Sequence, residues 1–338
     1  MVVPGSIPSM RCGLGKPKGL VTFTRLNAGN KYTFPNGLFI VKGILALCSL
    51  AYLAYMLSSF PFYNLPSIHW NRLGLLLMLA PINWILEILK WRSLSSASVR
   101  LPFLIWLKVF LAGMAAALFS PNRTGEWIGR ILSLPPNFRW TLGSSALLGS
   151  LAQLCVTLVG GALAWEFWIP DAVFPPYLIP FRWAIRFVGL CLMLFFLFRL
   201  PFALRKMYRW APLKLRSNLK KAGKGIRRHN WLSGLGWAFL RYLVFLLQWW
   251  IGLQALGVDL PFILVFPAVA FIFFGNALVP SFAFTELASR GSLSVLFLGK
   301  LGIAPGTALL VSSLLWLINL ALPALPGFYF LLKNPSKA

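Results

Sequence analysis

Apolar stretches of about 20 residues recur along this chain, and short basic segments separate them. A helix of about 20 apolar residues crosses the ~30 Å hydrocarbon core of a bilayer. Within that core every backbone polar group must be satisfied internally, which a helix achieves without a partner. Apolar residues make up 59% of the chain and charged residues 11%, a composition that is typical of polytopic membrane proteins and excludes the soluble classes. The sequence therefore predicts an all-α, polytopic membrane protein.

The apolar stretches number eight, and each is long enough for a helix of near-membrane length. A basic segment over 1–36, rich in Gly and Pro, precedes them and has no apolar periodicity, so we expect a disordered tail there. The stretches cover about 38–58, 72–90, 103–119, 141–165, 181–203, 236–256, 260–278 and 305–332.

Charge is distributed very unevenly between the two signs. The chain has 32 Lys and Arg against 6 Asp and Glu, for a net charge of +26. Because the basic residues lie between apolar spans, they indicate membrane topology and contact with anionic lipid headgroups, and no nucleic-acid partner is expected. The basic loop 204–235 contains no acid and is therefore predicted to be cytoplasmic, together with the N- and C-termini.

Proline, glutamate and arginine residues recur at an offset of about 160 residues, which predicts a duplicated unit with halves at 37–180 and 181–334. Assigning the acidic linker 166–180 to the outside gives the halves opposite orientations. The resulting inverted repeat has about six full spans plus two re-entrant helical hairpins, at 101–134 and 260–300. The alternative is eight plain spans without inversion. The residues that match between the two halves are Pro121 and Pro280, Glu126 and Glu286, and Arg130 and Arg290.

Each half carries a glutamate followed four residues later by an arginine, so that both side chains lie on one helix face. Such a pair can bind a lipid headgroup, with the arginine receiving a phosphate, or it can simply neutralise itself and join two helices. Glu87 lies near a predicted span end beside Lys90 and Arg92, where an interfacial role is slightly favoured. Gln153, Gln248 and Asn319 can line the same cavity or form hydrogen bonds between helices. The predicted substrate-binding residues are Glu126, Arg130, Glu286, Arg290, Arg123, Asn122, Glu87, Gln153 and Gln248.

Several short motifs resemble those of one membrane family. They are Asn83-Trp84 with Glu87 and Trp91-Arg92, the segment 125–130, the segment 280–291 with 301–308, and the terminal Leu-Pro-Ala-Leu-Pro-Gly at 322–327. In these the chain resembles the lysylphosphatidylglycerol synthase transmembrane-region family of flippase-like proteins. The resemblance implies a multi-pass protein of the plasma (inner) membrane that takes part in lipid transport. We expect neither the soluble synthase domain nor synthase activity.

These patterns favour a flippase-like translocator of a lipid or lipid-linked anionic substrate over an enzyme. One alternative is a membrane-embedded lipid-modifying transferase with Glu126 or Glu286 as general base. Another is a non-transporting scaffold that holds a partner synthase. The four cysteines and two histidines have no metal-ligand spacing, and no phosphate-binding loop occurs, so we expect no metal, no cofactor and no direct use of ATP.

Overall fold

The structure, a computed structural model, describes residues 68–95, 99, 101–118, 120, 123–135, 137–168, 228–278 and 283–332, with the isolated residues 184, 187, 191 and 199. Every regular element in these ranges is helical. The predictions for the tail 1–36, for the spans at 38–58 and 181–203 and for most of the loop 204–235 fall outside the described residues.

Nine α-helices and one π-helical segment make up the described fold. The helices are α1 (Trp70–Leu94), α2 (Phe103–Ala117), α3 (Thr124–Leu132), α4 (Arg139–Trp168), α5 (Arg228–Ala255), α6 (Phe262–Leu278), α7 (Ala283–Gly299), α8 (Pro305–Trp316) and α9 (Leu322–Leu332), with the π-helical segment Leu317–Ala321 between the last two. Because α5 begins at Arg228, the last part of the predicted loop 204–235 is helical instead.

Four helical stretches are long and apolar enough to cross a bilayer: Trp70–Leu94, Arg139–Ala164, Asn230–Ala255 and Pro305–Leu332. In the first of them large side chains such as Met78 and Trp70 remain more than 70% exposed. An apolar outer face of this kind is stable in hydrocarbon and unfavourable in water. The described chain is therefore an all-α, multi-pass membrane protein. Helices α2 and α6 are apolar but shorter.

The first hairpin, α2–α3, is packed through small residues. A Cβ atom on Gly125 would lie 2.1 Å from the carbonyl oxygen of Ala116, and one on Gly129 would lie 2.6 Å from the Ala116 Cβ. Spacing small residues four apart places them on one helix face and lets two backbones approach closely in a membrane. The close approach brings the charged face of α3 next to α2.

Three helix pairs join the first half of the chain to the second. Helix α1 packs along α5, α4 packs against α6, and α9 packs against α2. Close glycine contacts mark the last two pairs, since a Cβ on Gly161 would lie 2.5 Å from Phe274 and one on Gly327 would lie 2.0 Å from the carbonyl oxygen of Leu111. Helices from both halves therefore surround the buried side chains of α1.

Candidate functional site

Glu87, on α1, lies at the centre of a buried cluster of cations. Its side chain is surrounded by Lys90 Nζ at 2.5 Å and Arg241 Nη1 at 3.0 Å from Oε2, and by Arg130 Nη2 at 3.1 Å from Oε1. These cations come from α1, α5 and α3, and Glu87, Lys90 and Arg130 are each less than 5% exposed. A charge in so dry a setting is stable only when it is paired. One carboxylate is thus a shared counter-ion for three helices.

Arg130 reaches this cluster because a glycine on the facing helix leaves room for it. A Cβ atom on Gly113 would lie 2.8 Å from the Arg130 Cγ, so any larger residue would collide with the arginine stem. The guanidinium carbon lies 4.8 Å from the centre of the Trp91 ring and 5.7 Å from that of Phe110. Cation–π contacts of this kind are strongest where water is excluded. Aromatic faces and glutamates together hold the guanidinium in place.

The second carboxylate of the cluster is more exposed than the first. Arg130 Nη2 donates to Glu126 Oε1, and Arg123 Nη2 lies 3.6 Å from Glu126 Oε2. The side chains of Glu126 and Arg123 are 20% and 28% exposed, in contrast to the buried members. Arg123 caps α3 with left-handed backbone angles, φ 57° and ψ 23°, which cost a non-glycine residue roughly 1 kcal/mol or more. Strained residues of this kind cluster at functional sites.

Uncharged polar side chains extend the cluster in two directions. Gln153 Oε1 accepts from Arg241 Nη1 at 3.3 Å and from Lys90 Nζ at 3.5 Å. On the other side Arg241 Nε donates to Asn83 Oδ1 at 2.8 Å. Asn83 Nδ2 then donates to Asn319 Oδ1 at 2.7 Å, and Asn319 Nδ2 donates to Gln248 Oε1 at 3.0 Å. The polar network therefore reaches the π-helical segment, a distortion often found at functional sites.

The described side chains of the cluster carry more positive than negative charge. Four cations face two carboxylates: Lys90, Arg123, Arg130 and Arg241 against Glu87 and Glu126. At an effective dielectric constant of about 20, two like charges 4 Å apart repel by about 4 kcal/mol, so such an excess is unfavourable without an added anion. Chemically, the arrangement suits binding of an anion by guanidinium groups.

The structure brings together most of the predicted residues of the first half. Glu126, Arg130, Arg123 and Glu87 lie in the cluster, and Gln153 contacts it directly. Gln248 joins through Asn319. Glu87, for which an interfacial role is slightly favoured by the sequence, is buried against three cations, and α1 continues past it to Leu94.

Of the glutamate–arginine pair predicted in the second half, the structure describes the side chain of Arg290 only. Glu286 and Arg290 lie on α7, where Arg290 is half-buried and its carbonyl oxygen accepts a hydrogen bond from Ser294 Oγ. The side chain of Glu286 and all of Asn122 lie outside the described residues.

Sequence reasoning missed Arg241 as a member of the site and treated Lys90 only as a neighbour of Glu87. A usable signal was present, since Arg241 is a lone cation in an otherwise apolar stretch of α5, between Leu240 and Tyr242. Ionisable residues inside membrane helices are rare and usually face a partner or a cavity. Because acids are scarce in this sequence, the predicted site was built around the glutamates, and Arg241 was one cation among many.

In the described part of the chain no group of three or more His, Cys, Asp or Glu side chains could hold a metal ion. Comparison of the chain with protein-family models, with curated proteins and with solved structures finds no match.

Proposed function

We propose that this protein is a flippase-like translocator of a lipid or lipid-linked anionic substrate in the plasma (inner) membrane, with both termini in the cytoplasm. The observation that carries the proposal is the buried, cation-rich cluster around Glu87 inside helices of membrane length. Burying such a cluster is costly, which favours a role in recognition over simple anchoring. The motif resemblance to the lysylphosphatidylglycerol synthase transmembrane-region family supports the same function.

Arg130 would bind the anionic headgroup, and the partly exposed Arg123 and Glu126 would form its entrance. Glu126 would release Arg130 as the headgroup arrives, because it is the more exposed of the two carboxylates. Glu87 would keep Lys90 and Arg241 in position during the exchange. Charge would then remain paired throughout binding, which lowers the cost of bringing an anion into the membrane.

We further propose that the two halves form an inverted repeat whose hairpins move the substrate. The order of helix lengths supports this proposal. A long helix, two shorter ones and a long one occur in α1–α4. The same order occurs in α5, α6, α7 and the continuous helical stretch Pro305–Leu332, which contains α8 and α9. The crosswise packing supports it too, because the last helix of each half packs against the first hairpin arm of the other. Glu286 and Arg290 would be the second headgroup pair, reached from the opposite leaflet.

The test is leaflet exchange of labelled anionic phospholipids in liposomes that contain the purified protein. Arg130→Gln should slow exchange by at least about tenfold, equivalent to 1.4 kcal/mol, because the neutral amide cannot bind phosphate as a guanidinium does. Arg72→Gln is the matched control, since Arg72 pairs with Asp259 away from the cluster. Exchange by Arg130→Gln at the wild-type rate would refute the first site, and the same result for both Glu286→Gln and Arg290→Ala would refute the second.

A further inference from the structure

Uncharged polar side chains lead away from the Glu87 cluster between α1, α5 and α8. Asn83, on α1, accepts a hydrogen bond from Arg241 Nε at 2.8 Å. Asn319, in the π-helical segment, accepts from Asn83 at 2.7 Å and donates to Gln248 on α5 at 3.0 Å. Asn83 and Gln248 are fully buried. A continuous set of hydrogen bonds therefore joins the charged cluster to a buried amide on another helix.

Ser312 continues this set along α8. It precedes Asn319 by about two helical turns and therefore lies on a similar face of the helix. This part of α8 packs against α5, because a Cβ atom on Gly252 would lie 2.8 Å from Val311, the neighbour of Ser312. Ser312 is itself fully buried. We call the four residues Asn83, Asn319, Gln248 and Ser312 the polar row.

The polar row covers a large part of the membrane thickness. Helix α1 begins where α5 ends, since the backbone N–H of His69 donates to the carbonyl oxygen of Ala255 at 2.9 Å. Measured from this end, Glu87 lies roughly 25 Å along α1 and Gln248 roughly 10 Å along α5. The two differ in depth by roughly 15 Å, which is half of the ~30 Å hydrocarbon core.

The end of the polar row farther from Glu87 approaches α7. A Cβ atom on Gly291 would lie 2.6 Å from Leu309, which is about one turn from Ser312 on α8. Gly291 directly follows Arg290, the arginine of the second predicted headgroup pair. The polar row thus leads from the first predicted pair toward the second.

Two groups at this end are buried without a hydrogen-bond partner among the described atoms. They are Gln248 Nε2 and Ser312 Oγ. An unpaired polar group is costly in an apolar interior, so a purely structural contact between helices would be expected to pair both. A phosphate offers acceptor oxygens to both groups. Neutral donors hold a phosphate more weakly than guanidinium groups do, so a headgroup bound here can leave again.

We propose that the polar row is the path along which an anionic lipid headgroup passes between the two glutamate–arginine pairs. The lipid rests on the proposed function, whereas the path rests on burial and hydrogen bonding. Gln248 and Ser312 bind the headgroup at the far end of the row. Because the row is buried, α5 and α8 must separate to admit the headgroup. The π-helical segment, with Pro323 just after it, gives this helical stretch a place to bend.

A cysteine at position 312 tests the path without an assay of transport. In liposomes, and in a chain whose four cysteines are replaced by alanine, Ser312→Cys should react with a methanethiosulfonate that carries a sulfonate group. The anionic reagent enters where an anionic headgroup does. Dihexanoyl phosphatidylglycerol should slow the reaction severalfold by competing for the row. Ala270→Cys, equally buried but in an apolar cluster, should not react.

Leaflet exchange of labelled anionic phospholipids tests the use of the path. Ser312→Ala and Gln248→Leu should each slow exchange severalfold, because each removes a donor from the row. Ser313→Ala is the matched control and should exchange at the wild-type rate, since the Ser313 hydroxyl already donates to the carbonyl oxygen of Leu309 at 2.8 Å. Ser312→Ala removes a hydroxyl that has no described partner, so it should fold even if Gln248→Leu does not.

The outcomes distinguish this path from the proposed function. An unreactive Ser312→Cys would overturn the path, as would wild-type exchange by both Ser312→Ala and Gln248→Leu, and exchange by the wild type would still uphold translocation. Reaction that phosphatidylglycerol slows, in a protein that exchanges no lipid, would uphold headgroup binding in the row and refute translocation. Inorganic phosphate that protects as well as phosphatidylglycerol would overturn the lipid and indicate a free anion.

Discussion

Glu87→Gln should be the most destabilising single isosteric change in the cluster. Glutamine keeps the shape of the side chain but replaces one carboxylate oxygen with an amide that donates hydrogen bonds. That amide would face Lys90, Arg130 and Arg241, which also only donate. Removing one partner of a buried ion pair costs about 3–5 kcal/mol. Since Glu87 is 4% exposed and its three cations lie within 3.1 Å, we expect a loss in this range.

Thermal unfolding in detergent, followed by intrinsic tryptophan fluorescence, measures the effect. A loss of 3–5 kcal/mol should lower the Tm by roughly 4–7 °C, because the unfolding entropy is about 2.1 cal/mol/K for each of the 338 residues. Asp259→Asn makes the same chemical change in the exposed pair with Arg72 and should cost no more than about 1 kcal/mol. Adding Lys90→Met to Glu87→Gln should recover part of the loss, because it removes one of the unpaired cations. A Tm for Glu87→Gln equal to that of Asp259→Asn would refute the reasoning.

Three further changes probe the surroundings of the cluster by the same Tm measurement. Gly113→Ala places a Cβ 2.8 Å from the Arg130 side chain and should cost about 1–3 kcal/mol of stability. The control Gly74→Ala has no atom within 4 Å of the new Cβ and should stabilise the protein by up to about 1 kcal/mol. Equal Tm values for the two variants would contradict this packing. Asn319→Leu should cost about 1–3 kcal/mol, because its buried amide partners lose their hydrogen bonds, and an unchanged Tm would contradict the network. Arg123→Asn should leave the Tm near the wild-type value, because asparagine tolerates the left-handed backbone. Leaflet exchange of labelled anionic phospholipids should slow severalfold in this variant, and undiminished exchange would exclude Arg123 from the entrance.

The all-helical, membrane-spanning character of the chain could be predicted because it depends on long apolar runs alone. Helix α6, predicted at 260–278, begins at Phe262 and ends at Leu278 as the run indicates. The π-helical segment Leu317–Ala321 could not be predicted, because its sequence differs little from the apolar helices on either side. The inverted repeat stays a proposal, which helix lengths and packing support.

The candidate site was only partly accessible to sequence reasoning. The contact between Glu126 and Arg130 follows from helical spacing, since residues four apart share a face. The burial of Glu87 does not follow from its own helix, because its cations come also from α3 and α5. Arg241 lies more than 100 residues from the nearest of its charged partners, so only tertiary packing brings it there. Local spacing can predict pairs within one helix, and the three-helix cluster requires the fold.

The contact between α9 and α2 sets an order for biosynthesis. Gly327 packs directly on the backbone of Leu111, which precedes it by more than 200 residues in the sequence. The first hairpin is therefore synthesised long before α9, the helix that covers α2. A chain cut short before Leu322 would contain all the residues of the Glu87 cluster but would lack α9, so the face of α2 that α9 covers would be exposed. Quality control that recognises polar groups exposed to lipid would have a reason to remove such a product.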